Sequence, residues 1–184
     1  TRIFNSGQRM TKLINDLIDF TRTHLGSGLP VRPKAGDIGQ LCANVVDELR
    51  TYHPERVVRL SGPNTLMASF DSDRIAQVLS NVIGNAIQYG ASDGAVAVSL
   101  DEADGAIIIT VNNQGALIEP KKLGTIFEPL VRLARNDTEE YPAHGSLGIG
   151  LFIAREIIQA HGGSITVESV DGAGTTFTIR LPLR

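Results

Sequence analysis

The sequence predicts an α+β fold: a two-layer α/β sandwich with helices on one face of a mixed, mostly antiparallel sheet, preceded by one long bundle helix. Three observations predict it. Segments 3–24, 38–52, 74–89 and 148–161 repeat apolar residues at helical three-four spacing. Between them lie short apolar runs bounded by turn residues, as strands require. Two strand pairs flank Asp104-Gly105 and Asp171-Gly172, hairpin signals that favour antiparallel pairing over a doubly wound sheet.

Length and composition set the bounds. A chain of 184 residues holds one domain of ordinary size plus an appendage, and an apolar share of 42% is enough for a full core. The net charge of −3, with no Lys/Arg block, gives no reason to expect nucleic acid as a partner. No apolar run approaches the roughly 18 residues of a membrane span. The first residues lack a signal-peptide pattern. The single Cys42 excludes an internal disulfide and suits a reducing compartment, where it reads as a small buried hydrophobe. A cytoplasmic location is therefore expected for this portion, with membrane anchoring of the full-length protein left open. Beginning at Thr1 without Met, the chain reads as a piece of something longer.

In the first helix, Ile3, Met10, Leu13, Leu17 and Phe20 follow a heptad seam that Ile14 and Ile18 widen, while Lys12, Asp16, Asp19 and Arg22 lie largely on the other face. Such a stripe needs either the following domain or other helices to cover it, and a bundle formed by dimerisation is the preferred reading. Gly26, Ser27 and Gly28 stop the helix, and the prolines at 30 and 33 make the next residues an extended connector. The division is thus a partial bundle, 1–28, and a domain, 29–184.

Asp37 is a candidate N-cap for the helix over 38–52. Residues 56–60 and 66–70 are strand candidates around the turn at Gly62-Pro63-Asn64. Asp71, Ser72 and Asp73 cap the helix over 74–89. Strands are expected over 95–100 and 106–111, followed by a loop and a short segment over 123–127. The polar stretch 135–144 has no periodicity and reads as a lid. A helix follows over 148–161, ending at Gly162-Gly163, and then strands over 164–168 and 175–183.

Four features carry chemistry. Asn81 and Asn85 stand four apart among apolar residues on one helix face. Asparagine is disfavoured mid-helix, so the pair points either to a hard cation carrying phosphates or to bonds with neighbouring loops. Val111, Asn112, Asn113, Gln114 and Gly115 end an apolar strand with a side-chain amide and a glycine; read alone this is an ordinary turn, and in a pocket Asn113 offers the acceptor and donor that suit an adenine edge. Gly145, Ser146, Leu147, Gly148, Ile149, Gly150 and Leu151 form a glycine-rich loop opening a helix, which is either a tight turn or a phosphate seat made from unpaired N–H groups and the helix dipole. Gly174, Thr175, Thr176 and Phe177 open the last strand.

In that order, these boxes resemble the ATP-binding domain of sensor histidine kinases, within the superfamily shared with DNA gyrase and the ninety-kilodalton chaperone. The resemblance covers essentially the whole chain, with the first helix similar to the second helix of the family's dimerisation and phosphotransfer bundle. It implies ATP and Mg²⁺ as cofactors. Asn81 and Asn85 match the box whose second Asn in particular holds Mg²⁺, and Gln88 and Tyr89 close it. Asn113 and Gly115 match the first glycine box, which reads the adenine amino group. Phe127 matches the family's phenylalanine box. Gly145, Gly148 and Gly150 match the box lying against the phosphates, with Ser146, Leu147, Ile149 and Leu151 between and after them. Thr175 and Thr176 match the strand where a Thr commonly lies beside adenine.

The departures matter as much. Asn113 stands for the usual Asp, Leu117 for a second Gly, and Gln88 for a Lys that touches phosphate. Arg132 and Arg135 are candidates to replace that Lys by closing over the phosphates. At Asn81 the gyrase-type relatives place the Glu that activates water, and an amide cannot act as that base. None of His24, His53, His144 and His161 is followed by an acidic residue, so the phosphoacceptor His is expected on a helix upstream. The resulting expectation is the kinase domain of a two-component sensor, passing the γ-phosphate of ATP to that His for relay to a response regulator receiver domain. The full protein is expected to be a homodimer through its bundle helices. The alternative is a catalytically impaired nucleotide-binding or regulatory interaction module of the same fold.

Overall fold

The computed structural model describes residues 2–26, 28–131 and 148–183. Helix α1 spans Arg2–His24, strand β1 Lys34–Asp37, helix α2 Ile38–Tyr52, strand β2 Val58–Ser61 and strand β3 Met67–Phe70. Helix α3, Ser72–Tyr89, leads to strands β4, Val96–Ala103, and β5, Ala106–Asn113. Helix α4 covers Pro120–Leu123, helix α5 Gly150–Ala160, and strands β6, Ser164–Val170, and β7, Gly174–Pro182, end the chain.

The main sheet has five strands in the order β2-β4-β5-β7-β6. Only β2 and β4 run parallel; the other pairs are antiparallel. Strand alternation turns Val96, Val98 and Leu100 of β4, Ile107, Ile109 and Val111 of β5, and Phe177, Ile179 and Leu181 of β7 inward. There α3 covers β4 and β5, α5 covers β6 and β7, and α2 lies against β2 and α3. The expected mixed, mostly antiparallel sandwich is therefore the observed architecture.

Both predicted aspartate caps are present. Asp37 Oδ1 accepts the N–H groups of Gly39 (3.0 Å), Gln40 (3.2 Å) and Leu66 (2.9 Å). Asp71 accepts those of Arg74 (3.2 Å) and, at its other oxygen, Arg32 (2.8 Å). Cys42 is 1% exposed, and burial pushes its thiol up to about 11, which makes it the inert hydrophobe its position suggested.

Several element ends shift by two or three residues from the sequence reading, among them the start of α3 at Ser72 and the end of β4 at Ala103, and three differences have a clear physical cause. Strand β1 was not expected, because Lys34, Ala35, Gly36 and Asp37 carry no apolar alternation; it exists by pairing with β3. Helix α5 starts two residues late, since Gly148 adopts φ +70°, outside the helical region. The short segment expected over 123–127 is instead α4, begun by Pro120, whose fixed φ suits a first helical turn.

Helix α1 docks by its polar face. Asp16 and Asp19 are 7% and 4% exposed, whereas Met10, Ile14 and Leu17 of the apolar stripe are 63%, 55% and 51% exposed. The described domain therefore leaves Met10, Ile14, Leu17 and Ile18 of the stripe uncovered. Asp19 instead accepts from Arg74 Nη1 (2.6 Å) and Gln77 Nε2 (3.0 Å) of α3. Phe20 meets Phe152 of α5 edge-on, with ring centroids 5.8 Å apart.

Candidate functional site

Helix α3 forms one long wall. Asn81 is buried and its Nδ2 donates to the carbonyl of Gly150 at 3.1 Å, fixing the start of α5 against α3. Asn85 lies one turn further along, half-buried, and makes no side-chain hydrogen bond among the described residues. Of the two readings left open for this pair, a loop partner therefore fits Asn81 and a ligand fits Asn85. Gln88 and Tyr89 are half-buried on the last turn.

The end of α3 abuts the end of β5. Ala91 N–H donates to Gln114 O at 2.6 Å. A Cβ on Gly115 would stand 3.1 Å from Tyr89 O and 3.4 Å from Asn113 Nδ2, so glycine permits this approach. Asn113 is 5% exposed, and its Nδ2 donates to Gln114 O at 3.2 Å. Register places Thr175, 4% exposed, directly across from Asn113 on the inner face. Ser169 on β6 faces Thr175 in turn, with 3.0 Å between the hydroxyl oxygens, and also accepts the N–H of Ile118 at 3.0 Å.

Thr176 does not join this group. Strand alternation turns it to the outer face, where Asn112 Nδ2 donates to its hydroxyl at 2.8 Å. Expecting both threonines at one site overlooked the period of two. Leu117 is 55% exposed on the loop beyond Gly115.

Gly150 begins α5, preceded by Ile149, and the helix has no side-chain cap. Among the described residues no side chain takes its first N–H groups, which are placed to meet an acceptor beside Asn81. The Ile149 side chain, 2% exposed, belongs to the core, so that residue has only its backbone to offer a ligand. Leu151 is half-buried. Phe127 is 8% exposed and meets Phe177 edge-on at 6.3 Å, while Arg155 lies over its ring at 5.9 Å. The ring is packed into the body of the domain and does not face open space. Arg132, Arg135, Gly145, Ser146 and Leu147, with the polar stretch 135–144, lie outside the described residues.

The residues brought together are Asn85, Asn113, Gly115, Thr175 and the start of α5, along a wall of α3 about 12 Å long from Asn81 to Tyr89. One end offers neutral, buried hydrogen-bonding groups and the other offers backbone N–H groups. That arrangement suits an elongated ligand with a polar ring at one end and an anion at the other. The sequence reading missed Ser169, which counting back through the hairpin from Thr175 would have found. It also missed Arg56, whose Nη1 donates to Ala91 O at 2.6 Å beneath the end of α3.

A sequence model of the family described as histidine kinase-, DNA gyrase B-, and HSP90-like ATPase matches residues 70–184. A bacteriophytochrome of Pseudomonas aeruginosa is 33% identical over 179 residues, covering 97% of this chain and 24% of the relative. Sensor histidine kinase WalK of Bacillus subtilis is 31% identical over 184 residues, covering 98% of this chain and 30% of WalK. The chain therefore spans well under half the length of these relatives. Among solved structures, full-length ShkA in complex with AMPPNP superposes with a TM-score of 0.77 at 26% identity, over 97% of this chain and 37% of ShkA.

Proposed function

Because the chain belongs to the family of histidine kinase-, DNA gyrase B- and HSP90-like ATPases, we propose that it is the ATP-binding catalytic part of a sensor histidine kinase. ATP lies along α3, with adenine at Asn113 and Thr175, the triphosphate toward Asn85, and the N-terminus of α5 facing the phosphates. A histidine nitrogen from an upstream bundle helix attacks the γ-phosphorus in line and ADP leaves. A receiver-domain aspartate then takes the phosphoryl group. The observation that carries this reading is the buried pair Asn113 and Thr175, set side by side at the end of the same helix that presents Asn85, which has no side-chain partner among the described residues.

The donor set fits a magnesium ion. Mg²⁺ keeps several waters and takes most other ligands from phosphates, so one neutral protein oxygen such as that of Asn85 suffices. When bound, the ion neutralises phosphate charge. The chain itself positions and orients. Asn81 supplies no general base, and its amide nitrogen is engaged by Gly150 O, which favours phosphoryl transfer to a protein over hydrolysis. An open groove of about 1060 Å³ between α1 and the helices α2 and α3, lined in part by Asn15, Asp73, Ser80 and Asn81, gives an acceptor helix room to approach. The exposed stripe of α1 is the surface through which two copies of the whole protein would build their bundle, and residues 1–28 are the partial bundle attached to the domain 29–184.

Calorimetric titration of this chain with ATP and Mg²⁺ tests the reading. Saturable binding that ADP competes for is expected. No heat and no competition by ADP would leave the interaction module, for which Asn113, Leu117 and Gln88 are the motive. Supplying the upstream helix should then give phosphohistidine, and steady phosphate release by this chain alone would instead indicate a hydrolytic clamp.

A further inference from the structure

Resting on the nucleotide reading above, we infer that Ser169 sets which purine the site accepts, by fixing the direction of the hydroxyl hydrogen on Thr175. Ile118 N–H donates to Ser169 Oγ at 3.0 Å, and Ser169 Oγ lies 3.0 Å from Thr175 Oγ1. A hydroxyl has one hydrogen, and chains of hydrogen bonds strengthen when each group that accepts also donates onward. Either hydroxyl could donate in this pair; with Ser169 Oγ already accepting from Ile118 N–H, the onward chain assigns its hydrogen to Thr175. Thr175, 4% exposed, then directs its own hydrogen away from β6, toward the side where Asn113 stands.

Asn113 is fixed in the complementary sense. Facing the carbonyl of Gln114 at 3.2 Å, its amide presents nitrogen there, which leaves Oδ1 as an acceptor. The floor of the site thus sets an acceptor beside a donor, on directly opposed residues whose Cα atoms are about 5 Å apart. Adenine offers the matching edge, an amino donor on C6 beside the ring acceptor N1. A 6-keto purine offers an acceptor and an N–H donor instead, and both contacts fail. A free amide could turn to serve either purine. It is the two engagements, Asn113 by Gln114 and Thr175 by Ser169, that remove the choice. Ser169 is in this sense a positioning residue.

The test is titration of the 184-residue chain, with Mg²⁺ present, by ATP, inosine 5′-triphosphate and 1-deaza-ATP. Wild type should prefer ATP over inosine triphosphate by about tenfold or more, and lose about tenfold with 1-deaza-ATP, which lacks the N1 acceptor. Ser169→Ala should cut the ATP preference to below about threefold, and Ser169→Thr, which keeps the hydroxyl, should retain it. An unchanged preference in Ser169→Ala overturns the inference. So does 1-deaza-ATP binding wild type as tightly as ATP, a result that needs no variant to fold. ATP binding with either of these outcomes removes only the role of Ser169, whereas no ATP binding by wild type removes the nucleotide reading with it.

Discussion

His161 Nε2 accepts the backbone N–H of Asp71 at 3.0 Å, so the residue that ends α5 caps the approach to α3. With Nε2 accepting, the proton sits on Nδ1, which donates to Ile157 O at 2.8 Å. The imidazole is 7% exposed and joins the two helices that carry Asn85 and the α5 N-terminus. His161→Ala leaves a buried N–H and a carbonyl unpaired and should cost about 1–3 kcal/mol. A denaturant midpoint equal to that of wild type would show that this bond does not hold the helices together.

Asp37 and Asp71 make the fold sensitive to acid. The Leu66 N–H, followed by those of Gln40 and Gly39, holds the Asp37 carboxyl below its ordinary value of 3.8. For Asp71 burial pushes upward, but the N–H groups of Arg32 and Arg74 and the nearby charge of Arg74 outweigh it, so its pKa is also lowered. A depressed folded-state pKa gives stability that is complete above the unfolded value and is lost as pH falls through the folded one. Unfolding midpoints should therefore hold steady at neutral pH and decline below about pH 4. Asp37→Asn should shrink that decline; an unchanged acid slope would count against the assignment.

Gly174 has φ +82°, and a Cβ there would stand 2.2 Å from Asn113 O, in the backbone of the neighbouring strand. Gly172 shares the conformation, with φ +74°, but has open space around it. Gly172→Ala should cost about 1 kcal/mol of backbone strain. Gly174→Ala should cost clearly more, because it also separates Thr175 from Asn113. Equal thermal midpoints for the two variants would show that the close approach is not required.

What was legible in the sequence follows from which forces are local. Asp37 and Asp71 could be read as caps because each bonds N–H groups two or three residues ahead. The helices α2, α3 and α5 declared themselves by apolar spacing. Strand β1 stayed hidden because its only cause is β3, some thirty residues away. The boxes around Asn85, Asn113 and Gly174 could be read in order, but not that Asn81 would turn to Gly150 O while Asn85 has no partner among the described residues. Nor did the heptad pattern of α1 show that its acidic face, through Asp19, would be the one to dock. That choice depends on Arg74 and Gln77, which lie far along the chain.

Asp19 is the test of that docking. Its carboxylate is buried and held by Arg74, whose side chain is 20% exposed, so the pair is shielded more than a surface ion pair. Asp19→Ala removes one partner and leaves the guanidinium poorly satisfied, at a cost of about 3 kcal/mol or somewhat less given its partial exposure. Amide hydrogen exchange in the second half of α1 should accelerate far more than in α3 or α5. Uniform acceleration would mean that α1 and the domain unfold as one unit.

Asn81 and Asn85 should separate structure from binding. Asn81→Ala deletes the bond to Gly150 O and should lower stability by about 0.5–1.5 kcal/mol. Asn85 has no partner among the described residues, so Asn85→Ala should leave the unfolding midpoint within about 0.5 kcal/mol of wild type. Its effect should appear in nucleotide binding, as a loss of about tenfold or more in ATP affinity with Mg²⁺ present and little change when the metal is chelated. If Asn85→Ala binds Mg·ATP as wild type does, the half-buried amide is not a metal ligand, and the triphosphate must lie elsewhere. If both variants lose stability equally, Asn85 has a structural partner and the division of labour along α3 fails.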